Sequence, residues 1–249
     1  MTPAQELETL QAETEWEEIE FPPGDLESEE PPLESHLHLQ QLVLLLKCLD
    51  WLWQDRTDYF ATGNLTIYYS PEQVKTKDFR GPDFFVVLNT ERKPRKSWVL
   101  WEEGGKYPHV IIELLSDSTA TVDRTTKKQI YQDIFRTPEY FWFSPQTLEF
   151  KGFCLLNGEY QDLQPNERGH LWSHQLQLCL GIHEKQLRFF TPEGELVPTP
   201  EEDAAIARQQ RQMTEQRLET TEQQLTAEQQ RNEKLIAKLR ELNIDPETL

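Results

Sequence analysis

Three short apolar runs constrain this chain most: GPDFFVVL at 81–88, HVIIELL at 109–115 and EYFWF at 139–143. Each is too short for a buried helix, rich in β-branched and aromatic residues, and apolar at consecutive rather than alternate positions. Such runs suit strands buried on both faces, which requires a sheet covered on each side by another layer. Stretches with helical spacing are available to cover it. Over 33–53, apolar residues recur at Leu39, Leu42, Val43, Leu46, Leu49 and Trp53, and 123–135 returns to the same rhythm. LTIYY at 65–69, LEFKGFCLL at 148–156 and short runs near 160–163, 171–180 and 187–190 supply further strands. Helix, strands, a helix between strands, then more strands predicts an α/β domain with a mixed central sheet flanked by helices. No internal repeat is present.

The 249 residues suffice for one such domain with appendages. Net charge is −19, which taken whole argues against nucleic acid. Its distribution changes that reading. Residues 1–32 carry eleven acids and no Lys or Arg, and 201–249 carry eleven acids against seven bases, so the 168 residues between them are nearly balanced at −4. The expected organisation is an acidic, proline-punctuated arm at 1–32, disordered or loosely docked; a domain at 33–192; a Pro-rich linker at 193–203; and a helical tail at 204–243. The arm is read as a solvated leader, a functional acidic tail being the alternative. No stretch approaches a membrane span, and MTPAQELETL has neither the basic nor the apolar segment of a secretory signal. Cys48, Cys154 and Cys179 are odd in number and widely spaced, as suits free thiols in a reducing cytoplasm. The histidines form no ligand-spaced set, and His36-x-His38 is read as a helix-start pair.

In the tail, Leu218, Leu225, Asn232 and Leu239 form one seven-residue column, with Thr221, Glu228, Leu235 and Leu242 three positions on. That pattern predicts a coiled-coil seam and a homodimer, with Asn232 where a buried Asn sets register. A lone solvated helix is the alternative.

The chemistry rests on three polar residues in apolar surroundings. Asp83 stands directly before FFVV, and Glu113 interrupts VII-E-LL in the middle of a strand. A lone buried carboxylate is costly. Two from neighbouring strand ends can share a hard divalent cation, which activates water and stabilises charge on a phosphodiester. For either acid alone, a salt bridge or a cap is the alternative. On the helix after Asp123, Ile130, Tyr131, Ile134 and Phe135 lie within roughly 80° of position 127, so Lys127 sits near the centre of the apolar stripe and Lys128 at its rim. Lys127 is therefore the candidate catalytic cation, with outward snorkelling as the alternative.

The order GPDFFVV, IIELLSDST, DRTTKKQIY and EYFWFSP resembles the Uma family of restriction-endonuclease-like proteins, within the PD-(D/E)XK nuclease superfamily. The resemblance covers roughly 34–190, and the closing ELNIDPETL resembles the tail that often ends these proteins. It implies a restriction-endonuclease-like sheet and a Mg²⁺- or Mn²⁺-dependent endonuclease acting on DNA, with RNA as a further possible substrate. Asp83 and Glu113 would be metal ligands and Lys127 the catalytic lysine, with Glu34 and Tyr131 as additional candidates. In the wider superfamily the lysine stands two residues after the second acid; here that position is Leu115, and Lys127 resembles one moved onto the following helix. Ser116-Asp117 stands where Ser-Pro is usual, and Ser144 where an aspartate is common.

Residues 75–96 add Lys75, Lys77, Arg80, Arg92, Lys93, Arg95 and Lys96 against three acids, a run that either docks phosphates or is simply a solvated loop. The alternative function is a catalytically inactive nuclease fold kept as a scaffold, acting through its arm and tail.

Overall fold

The computed structural model describes residues 21–22, 24–28, 35–70, 81–116 and 123–241. The chain divides into two compact units, 1–197 and 198–249.

The first unit opens with helix α1 (His36–Leu52), whose Ser35 cap accepts a hydrogen bond from the His38 amide. Strands follow in the order β1 (Tyr59–Gly63), β2 (Ile67–Tyr68), β3 (Phe84–Leu88), β4 (Trp98–Val99) and β5 (Val110–Leu114). A π-helical segment (Asp123–Lys127) leads into α2 (Lys128–Asp133). Then come β6 (Glu139–Phe143), β7 (Phe150–Leu156), β8 (Glu159–Asp162), β9 (Leu171–Ser173), β10 (Leu178–His183) and β11 (Gln186–Phe190). Among the described residues, six strands form the central sheet in the order β1-β3-β5-β6-β7-β8, mixed because β5 and β6 alone pair in parallel. The expected α/β class and mixed central sheet are present. Asn157-Gly158, with φ of 53° and 89°, joins β7 to β8 through the left-handed turn that tight hairpins require.

Successive side chains on a strand point to opposite faces, and the apolar runs divide accordingly. Phe84, Val86, Val110, Ile112, Leu114, Phe141 and Phe143 face one cluster, with Leu42, Leu45 and Leu49 of α1 and with the second sheet, β11-β10-β9. Phe85, Val87, Ile111, Leu115, Tyr140, Trp142 and Phe153 face the other, under Tyr131 and Phe135. Both faces are covered by apolar side chains, which is why the runs show no polar alternation.

Three expectations shift. The buried stripe of α1 is His38, Gln41, Leu42, Leu45, Cys48 and Leu49, while Leu39 and Val43 are exposed. The helix is rotated because two polar side chains find buried backbone partners. The Gln41 amide donates to Leu187 O at 2.8 Å and accepts from Leu187 N at 3.0 Å, extending the second sheet's edge as a strand would. An apolar-only wheel misplaces such a helix. The stretch 123–135 is likewise not one α-helix. Its π turn widens the spacing, Ile134 is exposed, and Tyr131 and Phe135 carry the burial. The strand expected at 65–69 shortens to Ile67–Tyr68, paired in parallel with β4 outside the central sheet.

Pro22 and residues 24–28, within the expected arm, lie against the domain. Trp101 Nε1 donates to Pro22 O, Ser97 Oγ to Leu26 O and the Tyr68 hydroxyl to Glu27 O.

The second unit is helix α3 (Pro200–Glu241), which starts inside the stretch read as linker. Thr199 and Glu202 form a reciprocal capping box: Glu202 N donates to Thr199 Oγ1 at 3.2 Å, and Thr199 N to Glu202 Oε2 at 2.8 Å. Pro200 takes the first helical position, which needs no amide hydrogen. Acids in the first turn and Lys238 and Arg240 in the last complement the helix dipole. No residue of α3 is buried. No helix among the described residues is long and apolar enough to cross a membrane, and the three cysteines are free thiols.

Candidate active site

Parallel strands cannot be joined by a tight turn, so the chain between β5 and β6 crosses over one sheet face. That crossover brings Lys127 and Tyr131 over β5. By alternation with Ile111 and Leu115, Glu113 points into this same face and is wholly buried. Both carboxylate oxygens are held: Tyr131 donates its hydroxyl to Oε1 at 2.6 Å, and Lys127 Nζ lies 3.0 Å from Oε2. Asp83, at the entry to β3, closes the other side. Its Oδ2 accepts the Leu114 amide at 2.7 Å, and its own amide donates to Glu113 Oε2 at 3.4 Å. The register Phe84↔Ile112 extends to set Asp83 beside Glu113. Asp83, Glu113 and the turn carrying Lys127 and Tyr131, three separate stretches of sequence, thus meet at the Glu113 carboxyl.

Burial is the largest influence on Glu113 and pushes its carboxyl up to about 7; the neighbouring Asp83 adds to the rise, while the Lys127 ammonium and the Tyr131 hydroxyl oppose it. Desolvation wins. The site therefore holds a carboxyl poised near neutrality beside a lysine that is one-fifth exposed.

A fifth participant went unread in the sequence. His38 Nε2 lies 2.7 Å from Leu114 O, and its Nδ1 lies 2.8 Å from Ser35 Oγ. Because a carbonyl only accepts, Nε2 carries the proton and donates. His38 so braces the residue after Glu113 from the opposite face. The available signal was its i, i+4, i+7 relation to Leu42 and Leu45, which puts it on the buried side of α1.

Glu34, Lys75, Lys77 and Arg80 lie outside the described residues. The rest of the basic run is spent on intramolecular pairs. Arg92 bonds Asp50 at 2.8 Å and lies over the Tyr59 ring, Lys93 pairs with Glu91 at 3.3 Å, Arg95 with Glu103, and Lys96 with Glu27 at 2.7 Å. Among the described residues no group of three or more His, Cys, Asp or Glu gathers as a ready metal cage.

The family model for Uma2, described as "Putative restriction endonuclease", matches residues 4–188. The chain belongs to the Uma2 family. The match contains Asp83, Glu113, Lys127 and Tyr131, and α3 lies beyond it. Among solved structures, the chain is similar to one titled a putative nuclease belonging to DUF820 from Anabaena variabilis ATCC 29413. The identity is 13%, with 56% of this chain and 76% of that one covered and a TM-score of 0.40. No curated protein matches. Membership in Uma2 places the chain in a restriction-endonuclease-like family.

Proposed function

We propose that this protein is a divalent-metal-dependent endonuclease hydrolysing DNA phosphodiester bonds, with Asp83 and Glu113 as metal ligands and Lys127 as the catalytic cation. The observation that carries the reading is the wholly buried Glu113 carboxylate, clamped by Lys127 and Tyr131 and linked through backbone to Asp83. A structural ion pair would not call for a second carboxylate at its side, because the extra negative charge raises the cost of ionising the first.

The donor set fits Mg²⁺ or Mn²⁺: two carboxylates offer hard oxygens, and such ions commonly take one or two carboxylates with water and phosphate completing the shell. When bound, the ion supplies Lewis-acid stabilisation of the phosphoryl oxygens and lowers the pKa of a bound water. The remaining work belongs to the chain. Tyr131 fixes the rotamer of Glu113, and His38 and the Leu114 amide hold the strand segment that aligns both acids. The Lys127 ammonium, carried on the crossover, offers positive charge to the phosphoryl group as negative charge develops. We further assign α3 as a dimerisation element, and 198–249 as a unit separable from the nuclease domain.

Metal titration followed by thermal unfolding tests the site. Millimolar Mg²⁺ or Mn²⁺ raises the unfolding midpoint of the wild-type protein, because an ion bound only by the folded state stabilises it. The rise is lost in Asp83→Asn. A wild-type midpoint that ignores both ions, or an equal rise in the variant, refutes the metal site and leaves the scaffold reading.

A further inference from the structure

The nuclease site sits in a row that continues across the sheet. Glu113 is in register with Trp142 on β6, and Trp142 with Lys151 on β7. Directly opposed residues share a face, so Glu113, Trp142 and Lys151 all lie on the α2 side. Strands are spaced about 4.8 Å apart, which puts Lys151 roughly 10 Å from Glu113 at the backbone. On the same face, Lys128 comes from the crossover and lies over β7. Its Nζ lies 3.6 Å from the centre of the Phe153 ring and 5.7 Å from that of Trp142.

These two lysines differ from those of the basic run. Lys151 is exposed and Lys128 half-buried, and among the described residues neither joins an ion pair, whereas Arg92, Lys93, Arg95 and Lys96 each hold a carboxylate. The groups facing Lys128 include Asp162, which favours its charge, and Lys151, which opposes it. Burial against the rings is the largest influence and pulls its pKa down. Nearby, Arg124 is neutralised by Glu149, which also accepts from Trp142 Nε1. An ammonium laid on aromatic rings, partly stripped of water and beside a second cation, gains most from an incoming anion.

We propose that Lys128 and Lys151 form a phosphate track for the DNA strand being cut, running from Glu113 over Trp142 toward β7. The inference rests on the nuclease reading above and adds where the substrate lies. Each strand of duplex DNA places a phosphate about every 3.4 Å along the axis, so a track of roughly 10 Å engages phosphates within about three nucleotides of the scissile bond. The track lies on the β6–β7 side of β5, away from residues 92–96, which follow β3 on the other side.

The test is fluorescence anisotropy of a fluorescein-labelled 20-base-pair duplex titrated with the full chain in EDTA, where cleavage is silent, from 50 to 200 mM salt. Each phosphate contact contributes about 0.9 to the slope of log affinity against log salt. Lys128→Gln and Lys151→Gln each lower that slope by about 1, and the double variant by about 2, with affinity down roughly ten-fold at 100 mM salt. Lys151→Arg keeps the wild-type slope, and so does Lys185→Gln, in an exposed turn. Lys151 is at the surface, so its variants stay folded even if Lys128→Gln does not. Wild-type binding with an unchanged slope in Lys151→Gln overturns the track while sparing the nuclease reading. A wild-type chain that neither binds this duplex nor cuts DNA with Mg²⁺ overturns both.

Discussion

At the scale of single residues, Glu113 is the pivot. Burial holds its carboxyl at about 7, whereas the unfolded chain releases the same proton near the ordinary value of 4.5. Between those values the folded state binds more protons than the unfolded one, so this residue's contribution to stability declines as pH rises through the window. Glu113→Gln removes the titration. In metal-free protein the midpoint of the variant minus that of the wild type therefore grows from pH 5 to pH 8, by roughly 3–8 °C. A difference that stays level or shrinks over that range contradicts a raised Glu113. Lys127 and Lys128 are adjacent and chemically identical, yet one touches Glu113 and the other lies on Phe153. In cleavage assays with Mg²⁺, Lys127→Ala lowers kcat by about 10²–10³, the loss typical of one charge-stabilising group. Lys128→Gln raises KM instead. Equal kcat losses would show that the two lysines are not divided in this way. The wheel that set Lys127 near the centre of the stripe assumed a regular α-helix with Ile134 inward; the π turn and the exposed Ile134 depart from it, and Lys127 meets Glu113 through the crossover. The part played by His38 was not legible in the sequence, since its partner Leu114 O is a backbone atom 76 residues away.

At the scale of elements, polar side chains set how the layers meet. Gln41 pairs with both the N–H and the C=O of Leu187, fixing α1 against β11 in one rotation and one register. Gln41→Leu is close in size but leaves two buried backbone groups without partners, at about 1–3 kcal/mol for each lost partner. We expect the urea midpoint to fall with an unchanged m-value, corresponding to about 2–4 kcal/mol. A neutral substitution would mean that α1 docks by its leucines alone. Glu139 has a similar place: its buried carboxylate accepts from Ser173 Oγ and from the His174 amide, tying β6 to the turn after β9. Such bonds explain why the second sheet was only partly legible. The runs near 171–180 and 187–190 announced strands, but nothing in their composition said that they would form a layer of their own. The break inside 171–180, which separates β9 from β10, depends on that Glu139 contact.

At the scale of the whole molecule, the tail bears on assembly. Helix α3 spans 42 residues with none buried, and Leu218, Leu225 and Leu235 are each more than half exposed. The composition is rich in strong helix formers, but the leucine seam stays in water, and pairing with a second copy would bury it. Leu242, the last residue of that seam, lies outside the described residues. Full-length protein at tens of micromolar should elute as a dimer by size exclusion with light scattering, and a chain ending at Val197 as a folded monomer. A monomeric full-length chain, or a truncated one that keeps the dimer mass, removes α3 as the pairing element. By itself the amino-acid sequence determined the layers: apolar runs without polar alternation demand a sheet covered on both sides, and a carboxylate set inside one of them marks the site. Only the tertiary structure decided that β5 and β6 run in parallel, that Asp83 and Glu113 share a backbone segment, and that α1 turns on Gln41 and His38. Those outcomes depend on partners far apart along the chain, and no local pattern records the buried N–H or C=O that a distant side chain will meet.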